Sequence, residues 1–340
     1  MTSNGSIADM DASMNLTAIM AMNVTTATTV APEWRNFVGA FYFFLALPSF
    51  TLHLLVFMSV LKTQGGLRQF SPFYILLANH YLADIIKTLF FMLYACPCIW
   101  AQSQVYGVVL GDVLGEFESV DYCAVLFSTF FISANRALAI GRPFLNDIFF
   151  SKNLAIVYNC LTWLGGAAVS VANRLLSCRT VFVEAKYVFS TVCVQKPALS
   201  PGSIAIYIFA YGVVVFYLFA LLALAKQRKK LDDANVGKNM KGYQIRLFLQ
   251  ALGIWMGVIG NTIAFRIIPL FRPGLGTVIA TGAVIIGQSY ITPVSMLLFV
   301  KDTRGGLREL FGGTKVTALS QSGTGQQPRS HASPRIGAHR

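Results

Sequence analysis

Charge is scarce in this chain. Only 12% of its 340 residues are Asp, Glu, Lys or Arg while 55% are hydrophobic, and the apolar runs leave no room for a soluble core of comparable size. Other absences narrow the field further. Neither a Gly-rich phosphate loop nor a grouping of nucleophile, base and orienting residue occurs, so an enzyme is not expected. No His stands at ligand spacing from the six cysteines, so zinc is not expected, and neither is any other metal or cofactor. There is no internal repeat. No charged leader with a short apolar core opens the chain, so the expectation is an uncleaved amino terminus, with the first apolar run serving as targeting signal.

What is present is a series of seven apolar runs, at roughly 37 to 61, 72 to 95, 113 to 138, 153 to 173, 203 to 225, 246 to 270 and 277 to 300. About twenty helical residues cross the hydrocarbon layer of a bilayer. The expected fold class is therefore all-α membrane, a seven-transmembrane helix bundle whose two ends lie on opposite faces. Three glycosylation sequons, at Asn4, Asn15 and Asn23, fall in the polar amino-terminal tail and none falls elsewhere. Glycans are added only in the secretory lumen, so residues 1–36 read as an extracellular tail. Residues 37–311 are the membrane domain, and residues 312–340, rich in Gly, Ser, Gln and Pro, read as a disordered cytoplasmic tail.

The net charge of +13 points to nucleic acid only until its distribution is considered. Lys62, Arg142, Lys152, Lys226, Lys238, Lys241, Arg246, Lys301, Arg304 and Arg308 fall on the face opposite the sequons. The positive-inside rule and the sequons then agree on orientation. Membrane lipid and a cytosolic partner account for the basicity, and the expected location is the plasma membrane, as a multi-pass protein. Leu307, Leu310 and Phe311 beside these bases suggest a short amphipathic helix on the inner surface, although Gly305-Gly306 weakens it.

Charges inside apolar runs are costly and normally meet a partner or a water-filled cavity. Asp84 and Lys87, three apart on one helix, can pair, either as a self-neutralising couple or as a central polar switch. Glu118 and Asp121 share a face of the third run with no cation of their own helix beside them. Two such carboxylates repel each other unless a base, a ligand or water intervenes; alternatively the run begins later and both lie in the outer interface.

The order of these residues resembles that of rhodopsin-like G-protein-coupled receptors. Leu54-Leu55-Val56, Ser71-Pro72, Asn79, Leu82-Ala83-Asp84, Ala134-Asn135-Arg136, Trp163, Trp255 and Tyr290-Ile291-Thr292-Pro293 stand in the family's order and spacing. Closer still is the likeness to nematode serpentine chemoreceptors of receptor class x, carried by Asn135-Arg136 with Pro143 a few residues on, and by the loop from Cys178 to Cys193. The match runs from about residue 37 to 311. There are departures: Asn135 replaces an acid, Gly257 a proline, Thr292 an asparagine, Met296 a tyrosine, and His53 an asparagine.

The resemblance implies a bundle with two packings, biased alike by an extracellular ligand, small molecule or peptide, and by a heterotrimeric G protein inside. It implies a ligand pocket between the third, fifth, sixth and seventh helices, under the Cys178 loop, with Glu118 and Asp121 as ligand contacts and Trp255 as floor. A salt bridge from either acid to Lys87 or Arg266, or simple packing for Trp255, are the competing readings. Asp84, Lys87 and Pro293 would form the central switch. Asn135 and Arg136 would meet the G protein, unless Arg136 only reaches headgroups. It also implies a disulfide tying the second outer loop; among three pairings of the four outer cysteines, Cys178 with Cys193 is favoured and Cys98 is the rival partner. The last run has no Lys before Lys301 to anchor retinal, which disfavours a light receptor. A membrane transporter or channel is the remaining alternative, since ionisable residues also line ion paths.

Replacing Asn4, Asn15 and Asn23 together is expected to abolish any endoglycosidase-sensitive shift in gel mobility of the expressed chain. A shift that persists places the sugars, and the topology, elsewhere.

Overall fold

A computed structural model describes residues 31–63, 70–101, 103, 105–183, 187–194, 200–234, 238–271 and 274–312. The three sequons and residues 313–340 lie outside the described residues. Seven long helices follow one another: α1 (Arg35–Thr63), α2 (Pro72–Ala101), α3 (Val108–Gly141), α4 (Lys152–Leu175), α5 (Pro201–Ala234), α6 (Lys238–Ile267) and α7 (Leu275–Phe299). A short helix, α8 (Lys301–Leu310), follows α7, and a hairpin of β1 (Cys178–Val183) and β2 (Val188–Cys193) joins α4 to α5.

By length and composition α1 to α5 and α7 can each cross a membrane, while α6 contains a shorter apolar stretch, Leu252–Ala264. That stretch is the part of α6 whose side chains are described without a break, and the run expected from 246 to 270 lies within Lys238–Ile267 and the turn that follows it. Pro269 falls in the single turn Ile268–Leu270 that follows α6.

Local chemistry explains where the helices begin. Ser71 is extended (ψ 158°) and Pro72, with no N–H to leave unpaired, takes the first position of α2. Gly107, at φ +80°, makes the turn into α3. The Ser151 hydroxyl accepts from the Leu154 N–H at 3.4 Å and caps α4. Near its far end α2 widens into a π turn over Phe91–Ala95. Pro97 has no N–H to offer the Leu93 carbonyl, and the Tyr106 hydroxyl donates to that carbonyl at 2.5 Å.

The third helix runs through the middle, with Asp121 and nearly every residue from Cys123 to Ala137 buried. By contrast α4 and α5 turn Ile156, Val157, Leu161, Leu164, Ile208 and Leu222 outward. Exposed aliphatic surface of this extent fits contact with lipid chains. Two apolar clusters fill the ends of the bundle. At the hairpin end Tyr42, Phe91, Tyr94, Phe182, Tyr187 and Ile286 pack together, and at the α8 end Val56, Phe70, Phe73, Leu76, Ile132, Ile254 and Met296 do so.

Two glycines do structural work that a larger residue would prevent. Gly257 of α6, which stands in place of a proline, abuts Ile291 of α7, and its small size permits close approach of two helices. Gly306, expected to weaken α8, is buried against Ser59 of α1, and Ser59 Oγ donates to the Thr303 carbonyl at 2.5 Å. Lys62 Nζ adds a bond to the Glu309 carbonyl at 2.9 Å. Docking on α1 therefore offsets the poor intrinsic propensity of Gly305-Gly306. Arg304 closes the junction by donating to the carbonyls of Leu297 and Leu298 at 2.7 and 2.6 Å, at the end of α7 where helical partners run out.

In the antiparallel hairpin Cys178 lies opposite Cys193, and the two are joined by a disulfide. Cys98 is buried in α2 and takes no part in it. Arg179 pairs with Asp112 of α3 at 3.1 Å, which holds β1 across the end of that helix. Replacing Cys178 or Cys193 by Ser is expected to lower the thermal unfolding midpoint to the same extent as replacing both. Additive losses in the double variant would mean that the two thiols act separately.

Candidate functional site

Beneath the hairpin lies a cavity of about 360 Å³. It is bordered by Lys87 and Phe91 of α2, Glu118 and Tyr122 of α3, Phe189 of β2, Ser203 and Ile206 of α5, Asn261 and Thr262 of α6, and Ile285 and Gln288 of α7. A second cavity of about 320 Å³ shares Glu118, Tyr122, Phe189, Ser203 and Ile206 and extends toward Asn173 of α4. The lining mixes apolar and polar side chains, and the size falls within the range of small-molecule sites. Glu118 stands where the two lobes meet.

Other acids of α3 near this end have partners. Asp112 is taken by Arg179, and Glu116 accepts from Ser170 Oγ and from Arg174 Nε, the latter at 3.1 Å. Among the described residues no ion pair or hydrogen bond reaches Glu118. Asn261 is only 4% exposed and its amide oxygen has no hydrogen-bond partner among the described residues. One turn below Glu118, Asp121 is fully buried, and one of its oxygens likewise lacks a partner among them. An unpartnered buried polar atom costs about 1–3 kcal/mol, so both groups mark places where a donor is wanted.

Below the cavity is a second constellation. Asp84 Oδ1 receives Lys87 Nζ at 2.7 Å and Ser289 Oγ at 3.5 Å, and Oδ2 faces His53 Nε2 at 3.3 Å and His80 Nε2 at 3.5 Å. Ser128 gives its own proton to the Val125 carbonyl, so its oxygen accepts from His80 Nδ1 at 2.8 Å. His80 Nε2 is then left to accept from the Thr292 hydroxyl at 3.1 Å. The cluster thus joins α1, α2, α3 and α7, beside buried Pro293.

A separate clamp binds α2 to α4, where Asn79 accepts from Trp163 Nε1 at 2.8 Å and donates to Thr162 Oγ1 at 3.1 Å. Toward the α8 end, Arg136 is buried with its guanidinium 3.1 Å from the centre of the Phe73 ring. Neighbouring Asn135 donates to Asn146 at 2.9 Å, tying the end of α3 to the short helix Pro143–Phe149.

Residues 43–284 match the family model described as serpentine type 7TM GPCR chemoreceptor Srx, well over half of the chain. The chain belongs to this family. It is also similar to proteinase-activated receptor 2 of Homo sapiens, with 27% identity over 222 residues, 63% of this chain and 53% of that protein, so it spans about half the length of that relative. The crystal structure of squid rhodopsin superposes with a TM-score of 0.62 at 14% identity, covering 84% of this chain and 87% of that one. That likeness concerns the fold, a seven-transmembrane bundle.

In this Srx-family chain the structure sorts the anticipated site residues. Glu118 borders the cavity, and α2 joins the four helices expected around it. Because α3 is helical from Val108, Glu118 and Asp121 both stand within it and not ahead of its start. Asp121 lies inside the bundle but is not among the cavity's lining residues. Trp255 is also absent from the lining; it packs on Tyr217 at 5.5 Å in a cluster with Ala137, Ile140 and Phe248. Lys87 reaches Asp84 as the three-residue spacing suggested, whereas the Arg266 side chain lies outside the described residues. Missed from the sequence were His53, His80, Ser128 and Ser289. His80 stands four residues before Asp84, a spacing that puts both on one helix face, and this was the available signal.

Lys87→Met alone strands Asp84 and is expected to cost about 3–5 kcal/mol of stability. Asp84→Asn added to it should restore most of that in thermal unfolding. A double variant no more stable than the single would show that the pair is not the unit that matters.

Proposed function

We propose that this chain is a plasma-membrane chemoreceptor that binds a small extracellular molecule beneath the β1–β2 hairpin and passes the signal to a heterotrimeric G protein. The observation that carries the reading is the cavity where five helices and the hairpin meet, with Glu118 on its wall and no partner for that carboxylate among the described residues. In this reading the hairpin end faces outward, beneath the glycosylated residues 1–36, and the α8 end faces the cytosol.

The charge balance favours a ligand bearing a cation. Among the described residues Asp84, Glu118 and Asp121 lie in the bundle near one lysine, Lys87, and that lysine is already engaged by Asp84. Glu118 is the ligand contact, and Asp121 supports it from one turn below. Trp255 acts indirectly, through its packing on Tyr217 between α5 and α6. Asp84, Lys87 and Pro293 form the switch region, because the same polar cluster holds four helices in register. Asn135 and Arg136 belong to the cytosolic coupling end; Arg136, held on Phe73, would be released when α3 and α2 shift.

Cells carrying the full chain with a promiscuous G-protein reporter are expected to respond to at least one pool of small amines. Glu118→Gln should raise the half-maximal concentration about tenfold or more, as expected for loss of a charged hydrogen bond, at unchanged surface level. Arg136→Ala should suppress the maximal response instead. Parallel loss of surface level and response in Glu118→Gln would make Glu118 a folding residue and end its assignment.

A further inference from the structure

If the cavity receives the ligand and Glu118 meets its cation, then a second charge on the same cavity asks for a second pole. Lys87 borders the cavity with Glu118. Its ammonium carries three N–H donors, and the bond to Asp84 at 2.7 Å uses one of them. Asn261 supplies the complementary deficit, a buried amide oxygen on the cavity wall with no donor among the described residues. A ligand with a cation alone would satisfy Glu118 and Asn261 but make no use of the Lys87 donors that Asp84 does not take. An anion alone would answer Lys87 and face Glu118 unscreened.

We propose that the ligand is a small zwitterion, its ammonium shared by Glu118 and the Asn261 amide oxygen, its carboxylate taken by Lys87, and its apolar body set against Phe91, Phe189 and Ile285. This rests on the cavity being the ligand site and adds the anionic pole to it. The volume of about 360 Å³ is near the lower limit for small-molecule sites, so both poles belong to one compact molecule. Lys87 also gives such a ligand a lever. A carboxylate at Lys87 competes with Asp84 for the same ammonium, and Asp84 then relies more on the Ser289 hydroxyl of α7 while it faces the imidazoles of His53 on α1 and His80 on α2. Occupancy of the cavity is thereby felt where those helices are joined.

The test uses the full chain purified in detergent, with thermal stabilisation as readout. The probes are phenylalanine, leucine, 4-aminobutyrate and 6-aminohexanoate, each beside its methyl ester and its N-acetyl derivative. At least one free zwitterion should stabilise the protein, and its ester and N-acetyl forms should each bind about tenfold or more weakly, the expected loss of one charged hydrogen bond. In Lys87→Met combined with Asp84→Asn, which strands no buried charge, the zwitterion should lose that same advantage while the ester binds as before. An ester as potent as its parent acid overturns the anionic pole and leaves Glu118 as a cation site. An N-acetyl form as potent as its parent removes the cation site as well. Failure of every zwitterion at millimolar concentration overturns the proposal, and esters that still bind would show that the cation reading survives it. The comparison of acid with ester needs no variant, so it decides even if the double variant fails to fold.

Discussion

Asp84 is buried at the middle of a bundle that displays aliphatic side chains to its surroundings, and four helices meet in the polar cluster around its carboxylate. Lys87 and His80 come from the same helix, His53 from α1 and Ser289 from α7, and His80 passes the network on to Ser128 of α3. An ion left unpaired in such a place costs several kcal/mol, far more than a local packing adjustment. The helices are therefore held in register by a polar centre, while the apolar clusters at either end fill volume around it.

The two ends are built for different tasks. At the hairpin end the disulfide and the Arg179–Asp112 pair fasten a lid of aromatic residues over α3, and the space left beneath is the cavity. At the other end α8 is seated on α1 through Gly306 and Ser59, and Arg304 closes α7. Lys87 is the residue common to the cavity and the polar centre. That shared ammonium provides a physical route by which a change above is felt below, without requiring a long chain of intermediates.

How much of this could be read beforehand depended on the range of the interaction concerned. Asp84 with Lys87 was legible because three-residue spacing on a helix puts the partners side by side. Glu118 was legible as an anomaly, a carboxylate in an apolar run. His53 and His80 were not given their role, since a histidine in an apolar run carries no sign of which helix it will face, and His53 meets Asp84 across 31 residues of sequence. Asn135 illustrates the same limit. It was visible as a departure from an acid, while its contact with Asn146 depends on a short helix beyond the turn. Trp255 was assigned by motif order to the cavity floor, and packing with Tyr217 and Phe248 puts it among the apolar residues between α5 and α6 instead.

Hydropathy alone was sufficient for the class of molecule, because a bilayer of given thickness demands apolar helices of given length and leaves few other solutions. The order of motifs along those helices was sufficient for the family. Which polar groups meet, which acid has no partner among the described residues and where the cavity opens were settled only by the packing. Those outcomes depend on the rotation of each helix about its axis, and that rotation is set jointly by neighbours distant in the chain, by Gly257 against Ile291 and by Asp84 within its polar cluster.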